Sequence, residues 1–183
     1  MAAPVLVFLE NADASVRSAS LPAVTAARQL AQHHGGPVIG VVIGAAIGKA
    51  ADDAALYVDK VIAYDDPLLA APLAESYAPL LAAAVKLTGA VVLVGSASST
   101  GKDVLPRVAA LLEAGMASDV MAVNGPKTFR RPTYAGNALT DVEVVTPVVV
   151  ASVRQTEFAP AAPAATKGTV EAGQVAVDTL GAE

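Results

Sequence analysis

Four short runs of apolar residues, each followed by a segment with helical spacing, constrain the fold of this chain more than any other feature. The runs lie within residues 4–9, 38–43, 60–64 and 90–94, in which Lys60 is the one charged residue. A continuous apolar run of this length indicates a strand buried on both faces of a sheet. The spacing of apolar residues predicts helices from residue 21 to the glycines at 35–36, and over 49–56, 75–87 and 103–114. This alternation predicts an α/β fold with a mainly parallel, doubly wound sheet and helices on both faces.

The pattern changes after residue 115, where strand-like segments follow one another without intervening helices. Asn124-Gly125 and Gly136-Asn137 lie between these segments and are typical of hairpin turns. We therefore expect antiparallel hairpin additions near the C-terminal end. The segments are residues 119–123, 128–134, 138–145 and 148–153.

Composition changes again at residue 159. Residues 159–165 consist of Ala and Pro, which indicates a linker. We therefore divide the chain into an α/β domain, residues 1–158, and an Ala/Pro-rich linker and tail, residues 159–183. Two alternatives are open for residues 168–183: one further strand, or a mobile tail.

The composition excludes several classes of function. The formal net charge of −5 argues against nucleic acid as a partner, because phosphate contacts need a basic surface. Cysteine is absent, which removes disulfides, thiolate metal sites and thiol redox chemistry, so any electron transfer would need a bound cofactor. The first residues lack a signal peptide, and no apolar run reaches the roughly 20 residues of a membrane span. We expect a cytoplasmic protein without membrane insertion.

No catalytic or metal-binding set is apparent in the sequence. The two histidines, His33 and His34, are adjacent at a helix end and point in different directions, unlike the spaced pair of a metal site. Asp52-Asp53 and Asp65-Asp66 lack a third group to orient them, which favours solvated charges over a general acid and base. The Gly-x-Ser-x-Gly motif of serine hydrolases does not occur.

The loop after the fourth apolar run is the strongest candidate for a phosphate site. Gly95, Ser96, Ser99 and Gly101 lie between a predicted strand and a helix N-terminus, where backbone N–H groups suit an anion. Thr100, however, stands where a Walker loop needs its second glycine. The alternative is a tight turn in which Ser or Thr caps the helix, and the sequence favours this alternative.

The segment 127–138 is the second candidate site. It combines three cations and two aromatic residues with a glycine turn, and Arg and Tyr are favoured anchors of protein interfaces. Arg131, Tyr134 and Asn137 are the residues that we expect to contact a partner. A solvated edge hairpin protected by its charges explains the same pattern equally well.

Several motifs occur together in the order found in one protein family. Over residues 4–158 the chain resembles the N-terminal domain of electron-transfer flavoprotein alpha subunits, and the combination is more specific than any single motif. The motifs are Gly95-x-Ala97-x-x-x-Gly101-Lys102-Asp103-Val104-Leu105-Pro106-Arg107, Ser118-Asp119-Val120, Arg131-x-x-Tyr134-Ala135-Gly136-Asn137-Ala138 and Arg154-Gln155-Thr156-x-Phe158.

The resemblance implies a function that the residue patterns alone do not show. Such subunits have an adenine-nucleotide-hydrolase-like core and pair with a beta subunit of similar core. The heterodimer accepts electrons from flavin dehydrogenases, acyl-CoA dehydrogenases among them, and passes them to a membrane quinone oxidoreductase. FAD is held mainly by the alpha subunit's C-terminal domain, and AMP, where present, by the beta subunit. The flavin loops have no counterpart in this sequence, so we expect no cofactor on the isolated chain.

The resemblance favours a role in subunit assembly, with Arg107, Arg131, Tyr134 and Asn137 at the interface with the beta subunit or the flavin domain. Arg107 has an alternative role as a structural ion-pair residue, which the sequence slightly favours. Arg131→Ala is expected to weaken association with a partner and to leave the fold intact. The alternative function is a stand-alone adenine-nucleotide-binding module that uses the phosphate loop and the crevice at the strand switch point. Calorimetry with AMP distinguishes the two.

Overall fold

The computed structural model describes residues 2–174, which form four helices, twelve strands or bridges and three short 3-10 turns. The helices are α1 (Leu21–His34), α2 (Gly48–Ala54), α3 (Ala74–Thr88) and α4 (Ser99–Leu111). The 3-10 turns are Ser18–Ser20, Pro67–Leu69 and Tyr134–Gly136. The strands are β1 (Ala3–Phe8), β2 (Asn11–Ala12), β3 (Ser15–Val16), β4 (Gly35–Gly44), β5 (Lys60–Asp65), β6 (Val92–Ser96), β7 (Gly115–Val120), β8 (Ala122–Val123), β9 (Thr128–Thr133), β10 (Ala138–Glu143), β11 (Val149–Val153) and β12 (Thr169–Ala172).

Seven strands form one sheet in the order β12-β5-β4-β1-β6-β11-β7. Every neighbouring pair in this sheet is parallel. The chain winds from β1 towards β5 on one side and from β6 towards β7 on the other, so the direction of winding reverses between β1 and β6. The predicted doubly wound α/β fold is therefore confirmed.

The apolar runs form central strands of the sheet, and helices cover both faces of these strands. In β1, Val5 and Val7 pack with α1 and α2, whereas Leu6 and Phe8 pack with α3 and α4. All four side chains are fully buried. Because successive side chains of a strand point to opposite faces, a strand between two helical layers needs apolar residues at every position.

Glycine ends two of the helices as the sequence predicts. Gly35 follows α1 with φ 69°, and Gly89 follows α3 with φ 67°. This left-handed conformation suits glycine, since a Cβ would clash with the backbone there. The turn at Gly35 leads directly into β4, which returns the chain to the sheet beside β1.

The predicted antiparallel addition is a separate three-stranded sheet in the order β10-β9-β8. The predicted strand 119–123 divides between two sheets, since Asp119 and Val120 belong to β7 and Ala122–Val123 form β8. Asp119 has φ 58° and lies at an irregularity in the pairing of β7 with β11. The predicted strand 148–153 is not part of this addition. As β11 it lies between β6 and β7 in the parallel sheet, where all five of its residues are buried.

The Ala/Pro-rich segment 159–168 runs across the outer side of α1 and α2. Thr25 Oγ1 donates a hydrogen bond to the carbonyl of Ala159 at 2.7 Å, and an Arg28 N–H donates to the carbonyl of Ala162 at 3.0 Å. The segment leads into β12, which pairs in parallel with β5 at the sheet edge. Of the two alternatives for the tail, residues 169–172 therefore form a strand; residues 175–183 lie outside the described part of the chain.

Candidate functional site

The hairpin of β9 and β10 projects from the core and presents Tyr134 at its tip. Tyr134 is 85% exposed. The three residues of the tip, Tyr134, Ala135 and Gly136, have φ values of 49°, 54° and 93°. Left-handed conformation in a bulky residue costs about 1–2 kcal/mol, so the rest of the hairpin must enforce it. The tip thus holds an aromatic side chain in solvent at some cost to stability.

The two faces of this hairpin differ in character. On the inner face, Phe129 is fully buried in the core and lies opposite Val142. On the outer face, Leu139 is 58% exposed and lies opposite Pro132. Asp141 follows Leu139 on this face and accepts hydrogen bonds from the Arg130 guanidinium at 2.8 and 3.0 Å. The outer face near the tip is therefore an exposed apolar pair next to an ion pair, which suits contact with another protein.

The other two predicted contacts of the hairpin have different surroundings. Arg131 lies on the same face as Phe129, and one of its N–H groups donates to Ser118 Oγ at 2.8 Å, which ties the hairpin to β7. Arg131 Nε is buried and has no partner among residues 2–174. Asn137 is exposed, and its backbone N–H donates to the carbonyl of Tyr134. The roles of both residues at an interface stay predictions.

Arg107 has an intramolecular partner. Its guanidinium donates to Glu75 Oε1 at 3.0 Å, which joins α4 to α3, and both side chains are about half exposed, at 47% and 53%. Exposed pairs of this kind contribute about 0–1 kcal/mol. The geometry is that of the structural ion pair, the alternative that the sequence left open. An interface role for Arg107 stays a prediction.

The loop from Gly95 to Gly101 forms a tight strand-to-helix turn. Ser98 is the N-cap of α4 and accepts a hydrogen bond from the backbone N–H of Gly101 at 2.9 Å. Gly95 and Ser96 are buried, and Ser99 is exposed. A Cβ on Gly101 would lie 1.9 Å from the Ser96 carbonyl oxygen. Two of the four residues predicted to bind phosphate, Gly95 and Ser96, are therefore buried at the end of the sheet.

A crevice of about 190 Å³ lies at the carboxyl ends of β1 and β4, beside the point between β1 and β6 at which the winding direction reverses. Glu10 stands in this crevice with its side chain 5% exposed. Its carboxylate accepts a hydrogen bond from Ser98 Oγ at 2.5 Å and lies 3.5 Å from Arg17. Open α/β sheets commonly bind nucleotides at this position, with phosphate at the next helix N-terminus. In this chain, the carboxylate of Glu10 lies beside the helix N-terminus at which the phosphate would bind.

Tyr77 closes the crevice from the α3 side. Its hydroxyl lies 3.0 Å from the carbonyl of Leu69 and 3.1 Å from that of Ile43. Burial raises the pKa of Tyr77 to about 12, so the phenol stays protonated and donates a hydrogen bond at neutral pH. The wall of the crevice is therefore fixed by hydrogen bonds within the chain.

An ion pair stabilises the irregularity at Asp119 in the pairing of β7 with β11. Arg154 donates two hydrogen bonds to the two carboxylate oxygens of Asp119, one of them at 3.2 Å. The hydrogen bond from Arg154 lowers the pKa of Asp119, burial opposes it, and the charges of Arg154, Lys102 and Arg131 lower it further. The cost of the left-handed backbone at Asp119 is offset in part by this pairing.

The lowered pKa of Asp119 predicts how stability depends on pH. The unfolded carboxyl has the higher pKa, so the pairing contributes fully above the ordinary value of 3.8 and is lost as the pH falls through the folded value. We expect unfolding midpoints to fall between about pH 5 and pH 3, and Asp119→Asn to flatten this dependence. Glu143→Gln is the control, because Glu143 is exposed and forms no ion pair within residues 2–174. Equal pH profiles for wild type and Asp119→Asn would contradict the prediction.

The described part of the chain contains neither a metal cluster nor a membrane-spanning helix. No group of three or more His, Cys, Asp or Glu side chains in residues 2–174 could hold a metal ion. Within the same residues, each helix is too short or too polar to cross a membrane.

Together these observations define a doubly wound α/β domain with a projecting antiparallel hairpin. The chain belongs to the electron transfer flavoprotein domain family, whose model matches residues 5–178. It is 38% identical over 156 residues to electron transfer flavoprotein subunit alpha of Pseudomonas aeruginosa. The aligned region covers 84% of this chain and 48% of that protein. It is 34% identical over 166 residues to a probable mitochondrial electron transfer flavoprotein subunit alpha of Saccharomyces cerevisiae, with 87% and 47% covered. The resemblance seen in the motifs is confirmed.

The chain spans about half the length of the curated relatives it matches. A relative from Oryza sativa subsp. indica, named electron transfer flavoprotein subunit alpha, mitochondrial, is 35% identical over 163 residues and has 45% of its length covered. The matched half contains both the hairpin and the crevice. Properties of the relatives that depend on their other half do not follow from this match.

Proposed function

We propose that this chain is part of an electron-transfer flavoprotein heterodimer, in which the described domain serves subunit assembly. In the assembled protein, electrons pass from flavin dehydrogenases, for example acyl-CoA dehydrogenases, to a quinone oxidoreductase. The observation that carries the proposal is the family match over residues 5–178. The net charge of −5 and the absence of cysteine fit a protein that works by docking around a bound cofactor. A cytoplasmic location is part of the same proposal.

The hairpin is the surface that we assign to assembly. Tyr134, Leu139 and Asn137 are exposed at or near its tip, and exposed aromatic residues in a fixed geometry make effective interface anchors. Arg131 fixes the angle of the hairpin through Ser118 and keeps further donors for a partner. A beta subunit of the same family is the partner of this surface.

FAD is the cofactor that the family implies, and the crevice of this domain does not fit it. The volume of about 190 Å³ is below that of pockets for drug-sized ligands, about 300–1,000 Å³. The Glu10 carboxylate would also oppose the pyrophosphate, since its ion pair with Arg17 is long, at 3.5 Å, and Arg17 is half exposed. We propose that the assembled protein binds FAD mainly through regions outside the matched half.

The purified chain is accordingly expected to be colourless. The measurement is the visible absorbance of the chain after purification, compared with that of free flavin at equal concentration. The physical reason is the size and charge of the crevice described above. Stoichiometric flavin absorbance that survives gel filtration would contradict this expectation.

Coexpression with the beta subunit of the same organism tests the assembly role. A complex that survives gel filtration and has one-to-one stoichiometry is expected. An affinity tag on the beta subunit should retain the chain, whereas the tag alone should not. Separate elution of the two proteins at micromolar concentration would rule out assembly through this domain.

The alternative function is a stand-alone adenine-nucleotide-binding module. The position of the crevice favours it, since nucleotides bind at such switch points. The buried Glu10 carboxylate opposes it, because a phosphate beside Ser98 would meet a negative charge. Calorimetric titration with AMP separates the two functions: saturable binding without a beta subunit supports the module, and its absence supports assembly.

A further inference from the structure

A cavity of about 420 Å³ lies on the α4 side of the sheet, near the carboxyl ends of β7 and β11. It is separate from the crevice at Glu10, with which it shares no lining residue. Pro106 and Met116 form its apolar wall, and Lys102 stands at its rim in the first turn of α4. Its volume lies within the usual range of small-molecule sites.

Two serine hydroxyls line this cavity, and each has its proton left to donate. Ser118 Oγ accepts from Arg131 at 2.8 Å, and Ser152 Oγ accepts from the backbone N–H of Asp119 at 3.0 Å. Neither hydroxyl proton has an acceptor among the described residues. Ser152 is only 1% exposed and lines the cavity. A buried donor without an acceptor is unfavourable, which favours a ligand that accepts a hydrogen bond there.

The charges around the cavity leave a positive surplus. Asp119 lines it, but Arg154 already binds both of its carboxylate oxygens. Lys102 and Arg131 remain, and neither forms an ion pair within residues 2–174. Two unpaired cations stand out in a chain whose net charge is −5. They match a ligand group with two negative charges.

We propose that the cavity lined by Lys102, Ser118 and Ser152 binds a phosphate group. Phosphate carries about −1.5 to −2 charges at neutral pH and offers several acceptor oxygens. Lys102 and Arg131 neutralise the charge, and the hydroxyls of Ser118 and Ser152 donate to the oxygens. The phosphate comes either from inorganic phosphate or from a phosphomonoester, and the apolar wall at Pro106 and Met116 gives an ester group a place to pack.

The test is a titration of the 183-residue chain with inorganic phosphate, followed by amide NMR and calorimetry. We expect saturable binding with the largest shifts at Ser118 and Ser152. Lys102→Gln should weaken binding about tenfold, since it removes one charged donor. Lys49→Gln is the matched control, because Lys49 is also exposed in the first turn of a helix; it should bind as wild type. Lys102→Arg should restore most of the affinity.

Glycerol phosphate identifies the source of the phosphate. Binding at least as tight as that of inorganic phosphate indicates a phosphomonoester, and clearly weaker binding indicates the free ion. The proposal is overturned if no saturable binding occurs, if Lys102→Gln and Lys49→Gln weaken it equally, or if the shifts centre on the loop from Gly95 to Gly101. Far-ultraviolet circular dichroism of each variant shows whether the fold is intact, and the exposed position of Lys102 predicts that it is.

Discussion

Replacing Gly101 with alanine is expected to destabilise this domain by about 3 kcal/mol or more. A Cβ at this position would lie 1.9 Å from the carbonyl oxygen of Ser96 and 3.3 Å from Ser98 Oγ. The first of these atoms is backbone at the end of β6, which cannot rotate away as a side chain can. Relief would require α4 to move from the sheet, and with it the buried side chains of Val104 and Leu105. For a chain of this size, 3 kcal/mol corresponds to a fall of about 6–12 °C in Tm.

Gly48→Ala is the matched control for this substitution. Gly48 is also the first-turn glycine of a helix, but no atom lies within 4 Å of where its Cβ would be. Alanine there should leave stability unchanged or raise it by up to about 1 kcal/mol. Urea unfolding followed by circular dichroism measures both variants. A Gly101→Ala protein as stable as Gly48→Ala would show that the turn can open without cost, which would contradict the packing described for α4.

The core of the fold was predictable because its signal is local. Each apolar run indicates a strand that is buried on both faces of its sheet. Such strands in alternation with helices predict a parallel sheet. The glycine after α1 marks where the helix ends, and Gly136-Asn137 marks the hairpin, since both need unusual backbone conformations. None of these features depends on residues far away in the sequence.

The placement of β11 was not predicted, although its residues carried the signal. Residues 149–153 are as apolar as those of β1, and this indicates a strand covered on both faces. The neighbouring hairpin signals led to its assignment to the antiparallel addition. The irregularity at Asp119 was also not predicted, because a left-handed Asp within a strand has no distinct local pattern.

The chemistry of the candidate sites depends on long-range pairs, which the sequence does not reveal. Glu10 and Ser98 are 88 positions apart, and Asp119 and Arg154 are 35 apart. The sequence singled out the loop at Ser98 but not the carboxylate that the fold brings to it. The charge of Arg131 and its place near Tyr134 are visible in the sequence, whereas its hydrogen bond to Ser118 depends on how β9 packs against β7. Residue types therefore indicate which side chains could belong to a site, whereas their hydrogen-bond partners become known only from the fold.

Tyr134→Ala is expected to weaken the complex with the beta subunit by about 2 kcal/mol, or roughly thirtyfold in Kd, if the hairpin is the docking surface. Tyr134 is 85% exposed, so its removal should leave the unfolding midpoint of the isolated chain nearly unchanged. Alanine is preferable to glycine here, because glycine would also release the left-handed backbone at φ 49°. Calorimetric titration of the beta subunit with each variant gives the affinities.

Leu87→Ala is the control for loss of an exposed apolar side chain, since Leu87 is 78% exposed at the end of α3, away from the hairpin. It should change Kd by less than about twofold. Arg131→Ala adds a second comparison. If Arg131 acts by holding the hairpin through Ser118, its loss should weaken the complex even when Tyr134 is intact. Equal affinities for Tyr134→Ala and Leu87→Ala would exclude the hairpin tip from the interface, because Tyr134 is the large side chain among the three residues of the tip, Tyr134–Gly136.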